Sequence, residues 1–142
     1  MNIRTAKLQD TPAIVALWKE TNLLVPWNNP EEDIKRAFST PTSTILVAEI
    51  ENKLIGTILA GYDGHRGWIY YLAVKPEYQK HGYGRRLVEA AEDWLKSQGA
   101  PKIHLLIRKD NSQVQSFYHS IGYETSDVLM MKKTIDTMRK PL

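Results

Sequence analysis

The sequence has 142 residues, enough for one domain, and its 42% hydrophobic and 25% charged content matches folded globular chains and not disordered ones. It contains no cysteine, which excludes disulfides, thiolate metal sites and a cysteine nucleophile. The net charge of +3 is gathered in one place, where Lys75, Lys80, Arg85 and Arg86 outnumber Glu77, so it reads as a solvated charge run or a phosphate-receiving cluster and not as a nucleic-acid face.

Asp10-Thr11-Pro12 starts a helix, with a capping oxygen and a proline in the first turn, and Ile14, Leu17 and Trp18 give it a buried stripe. Leu23-Leu24-Val25-Pro26-Trp27 is an apolar connection that packs over something. A second helix starts at Asn29-Pro30, with Glu31, Glu32 and Asp33 at its positive end and Ile34, Ala37 and Phe38 on its apolar face. Thr44 to Ile50 and Leu54 to Tyr62 are expected to form a hairpin around Glu51-Asn52-Lys53, and Trp68 to Val74 continues the antiparallel meander after an Asp63-to-Gly67 turn. Pro76 ends that strand, Arg85 to Gln98 reads as a helix closed by Gly99, and Lys102 to Ile107 as the parallel strand of a right-handed crossover. A short helix from about Ser112 to Ser120 stops at Gly122, and Tyr123 to about Ile135 is expected to supply one or two closing strands. The fold class is therefore mixed α/β over residues 1–142, with no metal site. No apolar run approaches the ~18 residues of a membrane span, and the polar start Met1-Asn2-Ile3-Arg4 fits no signal peptide, so a cytoplasmic protein is expected.

Lys75-Pro76-Glu77-Tyr78-Gln79-Lys80-His81-Gly82-Tyr83-Gly84 opens directly onto a helix. Glycines let the backbone turn, and the unpaired N–H groups of a first helical turn suit a phosphate. Glycines also occur at helix entries for geometry alone.

Gln79-x-x-Gly82-x-Gly84 behind the Leu72-Ala73-Val74 strand end, then Asn111, then Phe117-Tyr118-x-x-x-Gly122-Tyr123, resembles the GCN5-related N-acetyltransferase (GNAT) superfamily in collinear order over nearly the whole chain. Gly61 to Gly67 and Pro26-Trp27-Asn28 further resemble the bacterial YpeA-type branch. The resemblance implies a mostly antiparallel sheet with helices on both faces and a splayed parallel pair of strands, ending near Val74 and Ile107, between which acetyl-coenzyme A lies. It implies that the main chain of Leu72, Ala73 and Val74 holds the pantetheine arm, with an N–H near Leu72 on the thioester carbonyl. Gln79, Lys80, His81, Gly82, Tyr83, Gly84 and Arg85 would hold the pyrophosphate, and Asn111 would touch pantetheine or simply cap its helix. Tyr118 matches the family's general acid, or is an aromatic wall of the cleft.

Relatives that acetylate a ribosomal protein's N-terminus carry a glutamate base where this chain has Leu106. Asp63, His65, His104 or a water chain are left for proton removal, and Trp18, Trp27 and Tyr62 are candidate acceptor contacts or core fillers, Trp18 more the latter. The implied activity is acetyl transfer to an amine on a small molecule or protein, in a chain that the resemblance allows to be a homodimer, without nucleic-acid or membrane partners. A non-catalytic acyl-coenzyme A sensor is the alternative.

Overall fold

The computed structural model describes residues 1–136. They form β1 (Asn2–Thr5), α1 (Thr11–Glu20), α2 (Pro30–Ser39), β2 (Ser43–Ile50), β3 (Lys53–Tyr62), β4 (Gly67–Val74), α3 (Tyr83–Gln98), β5 (Ile103–His104) and α4 (Ser112–Ser120), with short 3-10 turns at Leu8–Asp10 and Pro76–Tyr78. The chain divides into two compact units, Met1–Leu105 and a second that begins at Leu106. The expected 1–142 span runs past the described residues at its C-terminal end.

The first unit contains a sheet in the order β1-β2-β3-β4-β5, antiparallel throughout except for the parallel β4–β5 pair. Its hairpin turns on Glu51 and Asn52, whose φ values of 51° and 64° are left-handed, as a two-residue connection requires to match the strand twist. One face of the sheet carries Ile45, Val47, Leu59 and Ala73, packed with Ile14, Leu17 and Trp18 of α1 and Ile34 and Ala37 of α2. Leu23 and Leu24 of the apolar connection pack against the same core. The other face receives α3, whose Leu87, Val88, Ala91 and Leu95 are buried; each leucine there contributes roughly 1.5–3 kcal/mol by leaving water. The close fit is visible at Gly56, where a β-carbon would stand 2.8 Å from Leu87 Cδ1, and at Gly67, where it would stand 3.0 Å from Leu95. The expected arrangement, a mostly antiparallel sheet with helices on both faces, is therefore present.

Three local expectations are corrected, and one strand has no counterpart in the sequence reading. β1 is an edge strand that the polar opening did not signal, because only Ile3 among its four residues is apolar. Asp10 does not cap α1 with its side chain. Its carboxylate accepts from Arg4 at 2.8 and 3.0 Å and from the Lys7 N–H at 2.7 Å, while Arg4 Nε also reaches Glu49 at 2.8 Å, which ties β1 to β2 and to the α1 entry. The strand expected over Lys102 to Ile107 pairs only at Ile103 and His104. Residues 123–136 form no strand, and Leu129 and Met131 within them are 86% and 90% exposed. Among the described residues no helix is long and apolar enough to cross a membrane.

Candidate active site

β4 changes register against β3 in its middle. Thr57 pairs with Ala73 but Leu59 pairs with Tyr70, so Tyr71 and Leu72 together lie opposite Ile58 alone, a β-bulge. Tyr71 has φ of 55°, a left-handed conformation that costs a side-chain-bearing residue about 1–2 kcal/mol. The surroundings hold it there. Its ring stacks on Trp18 at 3.7 Å with 7° between planes, and its hydroxyl donates to Asp33 Oδ2 of α2 at 2.7 Å. Its carbonyl accepts from Thr57 Oγ1 at 2.9 Å, and the same Oγ1 accepts from Trp18 Nε1 at 3.0 Å. Trp18 is fully buried in this arrangement, which removes it from the candidate acceptor contacts. Sequence reading did not single out Tyr71, although adjacent aromatics at positions 70 and 71 break strand alternation and are a signal for a bulge.

The β4–β5 ladder consists of Gly67↔Ile103 and Trp68↔His104 and then ends, so the two strands part beyond Trp68. Leu72, Ala73 and Val74 lie past that point, on the part of β4 whose outer edge has no ladder partner among the described residues. That edge can accept an extended ligand as a strand would be accepted.

The loop behind Val74 is folded by its own side chains. Gln79 Nε2 donates to the Val74 carbonyl at 2.9 Å, which closes the loop back on the strand end. His81 Nδ1 donates to the Gln79 carbonyl at 2.8 Å, and its ring lies over Tyr83 at 5.9 Å. Lys80 and Gly82 have φ of 65° and 81°, and this left-handed path turns the chain into α3 with Gly82 as its N-cap. Arg86 N–H to Gly82 O, at 3.2 Å, is the first bond of the helix, so the amides of Tyr83, Gly84 and Arg85 have no intrahelical acceptor. A β-carbon at Gly82 would meet nothing within 4 Å, so there is open space at the helix N-cap. Lys80, Arg85 and Arg86 are exposed around it, with Arg85 Nε 3.2 Å from Glu89. Open space, unpaired amides and formal positive charge together fit a pyrophosphate.

In the second unit Asn111 caps α4, its Oδ1 accepting from the Val114 N–H at 3.1 Å, so the capping role is real and the side-chain amide nitrogen is not used by it. Gly122, at φ of 100°, ends the helix, and the Tyr123 N–H returns to the Tyr118 carbonyl at 3.0 Å. Tyr118 is buried, edge-on to Phe117 at 5.0 Å and to Tyr123 at 5.3 Å. Burial pushes its phenol up to about 12, so it carries its proton throughout the physiological range.

The candidates for proton removal are sorted by their environments. Asp63 Oδ1 accepts from the His65 and Arg66 N–H groups at 2.8 and 2.7 Å, and Oδ2 from Trp68 Nε1 at 3.2 Å. The Arg66 and His65 amides hold this carboxyl below the usual carboxylate range, which suits a turn organiser and not a base. His65 is exposed on that turn, and His104 stands edge-on to Trp68 at 5.3 Å. Leu106 is 54% exposed. Trp27 and Tyr62 are half-buried. Among the described residues no cluster of three His, Asp or Glu side chains is placed to hold a metal ion.

Residues 11–123 match the family model described as the acetyltransferase (GNAT) family. An acetyltransferase of Pectobacterium atrosepticum is 40% identical over 135 residues, covering 95% of this chain and 96% of its own, and one of Yersinia pestis is 38% identical over the same shares. Among solved structures, an aminoglycoside acetyltransferase from an uncultured soil metagenomic sample has a TM-score of 0.76 at 20% identity, covering 95% of this chain and 96% of its own. A predicted acetyltransferase of Clostridium acetobutylicum with acetyl-coenzyme A has a TM-score of 0.75 at 18% identity, covering 93% and 95%. The bulged and parted β4 and the amide-lined loop on α3 thus occur in a chain that belongs to the GNAT family of acetyl-coenzyme A-dependent acetyltransferases.

Proposed function

We propose that this acetyltransferase moves the acetyl group of acetyl-coenzyme A directly to a primary amine, with residues 1–142 working as one cytoplasmic domain and Tyr118 as general acid. The observation that carries the reading is the loop on α3, where left-handed Lys80 and Gly82 lead into three amides without intrahelical acceptors. Gln79 closes that loop, Lys80, His81, Tyr83, Gly84 and Arg85 supply amides and charge to the pyrophosphate, and the Leu72–Val74 edge takes the pantetheine arm, with the Asn111 side-chain amide as a further donor.

The amine forms a C–N bond to the acetyl carbon, the C–S bond breaks, the nitrogen loses one proton and the sulfur gains one. A main-chain N–H in the Tyr71–Leu72 bulge meets the oxyanion. Tyr118 is loaded with its proton at neutral pH, since burial raises it to about 12. Against an ordinary thiol near 8.5 the transfer to a free thiolate is uphill by roughly 5 kcal/mol, so the donor acts while the C–S bond breaks and not afterwards. Proton removal from the amine is assigned to a water chain, since Asp63 is committed to its turn.

The test is thiol release over a panel of amines by wild type and Tyr118→Phe, with the melting shift by coenzyme A as a binding control. Loss of kcat by at least about tenfold with the melting shift intact is expected. Wild-type turnover by Tyr118→Phe removes the acid assignment. A melting shift with no thiol release from any amine replaces the reading with the acyl-coenzyme A sensor.

A further inference from the structure

We infer that the point where β4 and β5 part is the acceptor subsite, and that it takes an alkylamine carrying a second, cationic amino group. The inference rests on the amine-transfer reading above and narrows its substrate.

The last ladder pair is Trp68↔His104, so these two residues stand at the root of the opening. Trp68 and Tyr70 lie two residues apart on one strand, and their rings are 6.4 Å apart and within 16° of parallel. His104 meets Trp68 edge-on at 5.3 Å and 82°. Tyr70 is 44% exposed, and Trp68 and His104 are half-buried, so the wall has faces that a ligand can reach.

The wall is also held in orientation. Asp63 Oδ2 accepts from Trp68 Nε1 at 3.2 Å, and its Oδ1 is anchored by the His65 and Arg66 amides. The turn's other charged group, Arg66, donates from Nη1 to the His65 carbonyl at 3.0 Å and not to that carboxylate. An ionised carboxylate therefore sits at the edge of an electron-rich aromatic surface. That combination attracts an ammonium ion, through the ring quadrupole and through charge.

A second nitrogen answers both demands at the same time. The nitrogen that attacks the thioester must be neutral, while the one held on an aromatic wall beside a carboxylate is charged. Alkyl amines titrate near 10.4, so at neutral pH one amino group of a diamine can remain the held cation while the other loses its proton. A monoamine cannot do both at once.

The experiment compares 1,4-diaminobutane with butylamine in a thiol-release assay with wild type, Trp68→Leu and Trp68→Phe. The diamine is expected to show the higher kcat/KM. Trp68→Leu is expected to raise the diamine KM about threefold to tenfold with the KM for acetyl-coenzyme A unchanged, and Trp68→Phe, which keeps an aromatic face, to raise it less. The melting temperature of each variant separates a lost subsite from a lost fold. Equal turnover of the two amines, or a diamine KM unmoved in a folded Trp68→Leu, overturns the subsite and leaves amine transfer standing. Thiol release with neither amine, while coenzyme A still raises the melting temperature, overturns the diamine subsite, and amine transfer falls with it only when the wider amine panel also gives none.

Discussion

Replacing Thr57 by valine keeps the β-branched shape and removes one oxygen that makes two hydrogen bonds, one buried and one part-buried. Trp18 Nε1 donates to it at 3.0 Å, and it donates to the Tyr71 carbonyl at 2.9 Å. Both Trp18 and Thr57 are fully buried, so water does not replace the lost partner without opening the core. An orphaned buried donor costs about 1–3 kcal/mol and the second broken bond about 1 more, so the loss should be roughly 2–4 kcal/mol. That is a large fraction of the 5–15 kcal/mol that usually stabilises a domain. At about 2.1 cal/mol/K per residue, 142 residues give an unfolding entropy near 0.3 kcal/mol/K, so about 3 kcal/mol lowers Tm by roughly 10 °C. Thr57→Ser keeps the hydroxyl and deletes one methyl, a change worth about 1 kcal/mol and roughly 3 °C. Calorimetric melts of the two variants check this order. A valine variant as stable as the serine variant would refute the bridging role and with it the account of how Tyr71 is kept left-handed.

Gly56→Ala places a methyl 2.8 Å from Leu87 Cδ1 and 3.1 Å from the Ala73 carbonyl, and the overpacking should cost about 1–3 kcal/mol in urea titrations. The Asp10 carboxyl is held below its ordinary value, chiefly by its hydrogen bonds to Arg4, so it stabilises the fold above the unfolded pKa near 4 and loses this as pH falls through the lower folded value. Arg4→Met should therefore flatten the acid side of a stability–pH curve, and an unchanged curve would count against the pair. Lys80→Ala with Arg85→Ala should raise KM for acetyl-coenzyme A and leave kcat nearly constant, because phosphates do not change charge in the transition state. Tyr118 should add no ionisation to the kcat profile between about pH 6 and 10, since its phenol is raised to about 12, and a limb in that range that vanishes in Tyr118→Phe would contradict it.

The hairpin, the crossover and the four α-helices of the described residues were readable because each has a local signature: Asn29-Pro30 ahead of acids, Glu51-Asn52 between β-branched runs, Gly99 after an apolar stripe. Gly82 and Gly84 likewise announced the loop. What escaped depends on partners distant in sequence. β1 exists because residues 46–49 of β2 offer it a ladder, and Asp10 gives up its cap because Arg4 lies beside it. The bulge at Tyr71 is stabilised from α1, α2 and β3, three elements that no window around position 71 contains. Lys102 to Ile107 has a strand's composition along its whole length, yet composition does not say where a neighbour turns away.

The abrupt end of the β4–β5 ladder has a consequence for colloidal behaviour. A strand with an unpaired outer edge is ordinarily a surface at the margin of a sheet, where charges, prolines and bulges guard against pairing with other chains. Here such an edge follows directly on a paired segment of β4, and beyond Trp68 its residues are Ile69 to Val74, with no charge among them. Within β4 the bulge acts as a guard, because its kink prevents a flat neighbour from registering along the full strand. On the proposed placement of the pantetheine arm along Leu72 to Val74, occupancy would cover the remainder, so acetyl-coenzyme A should reduce aggregation of the protein as well as raise its melting temperature.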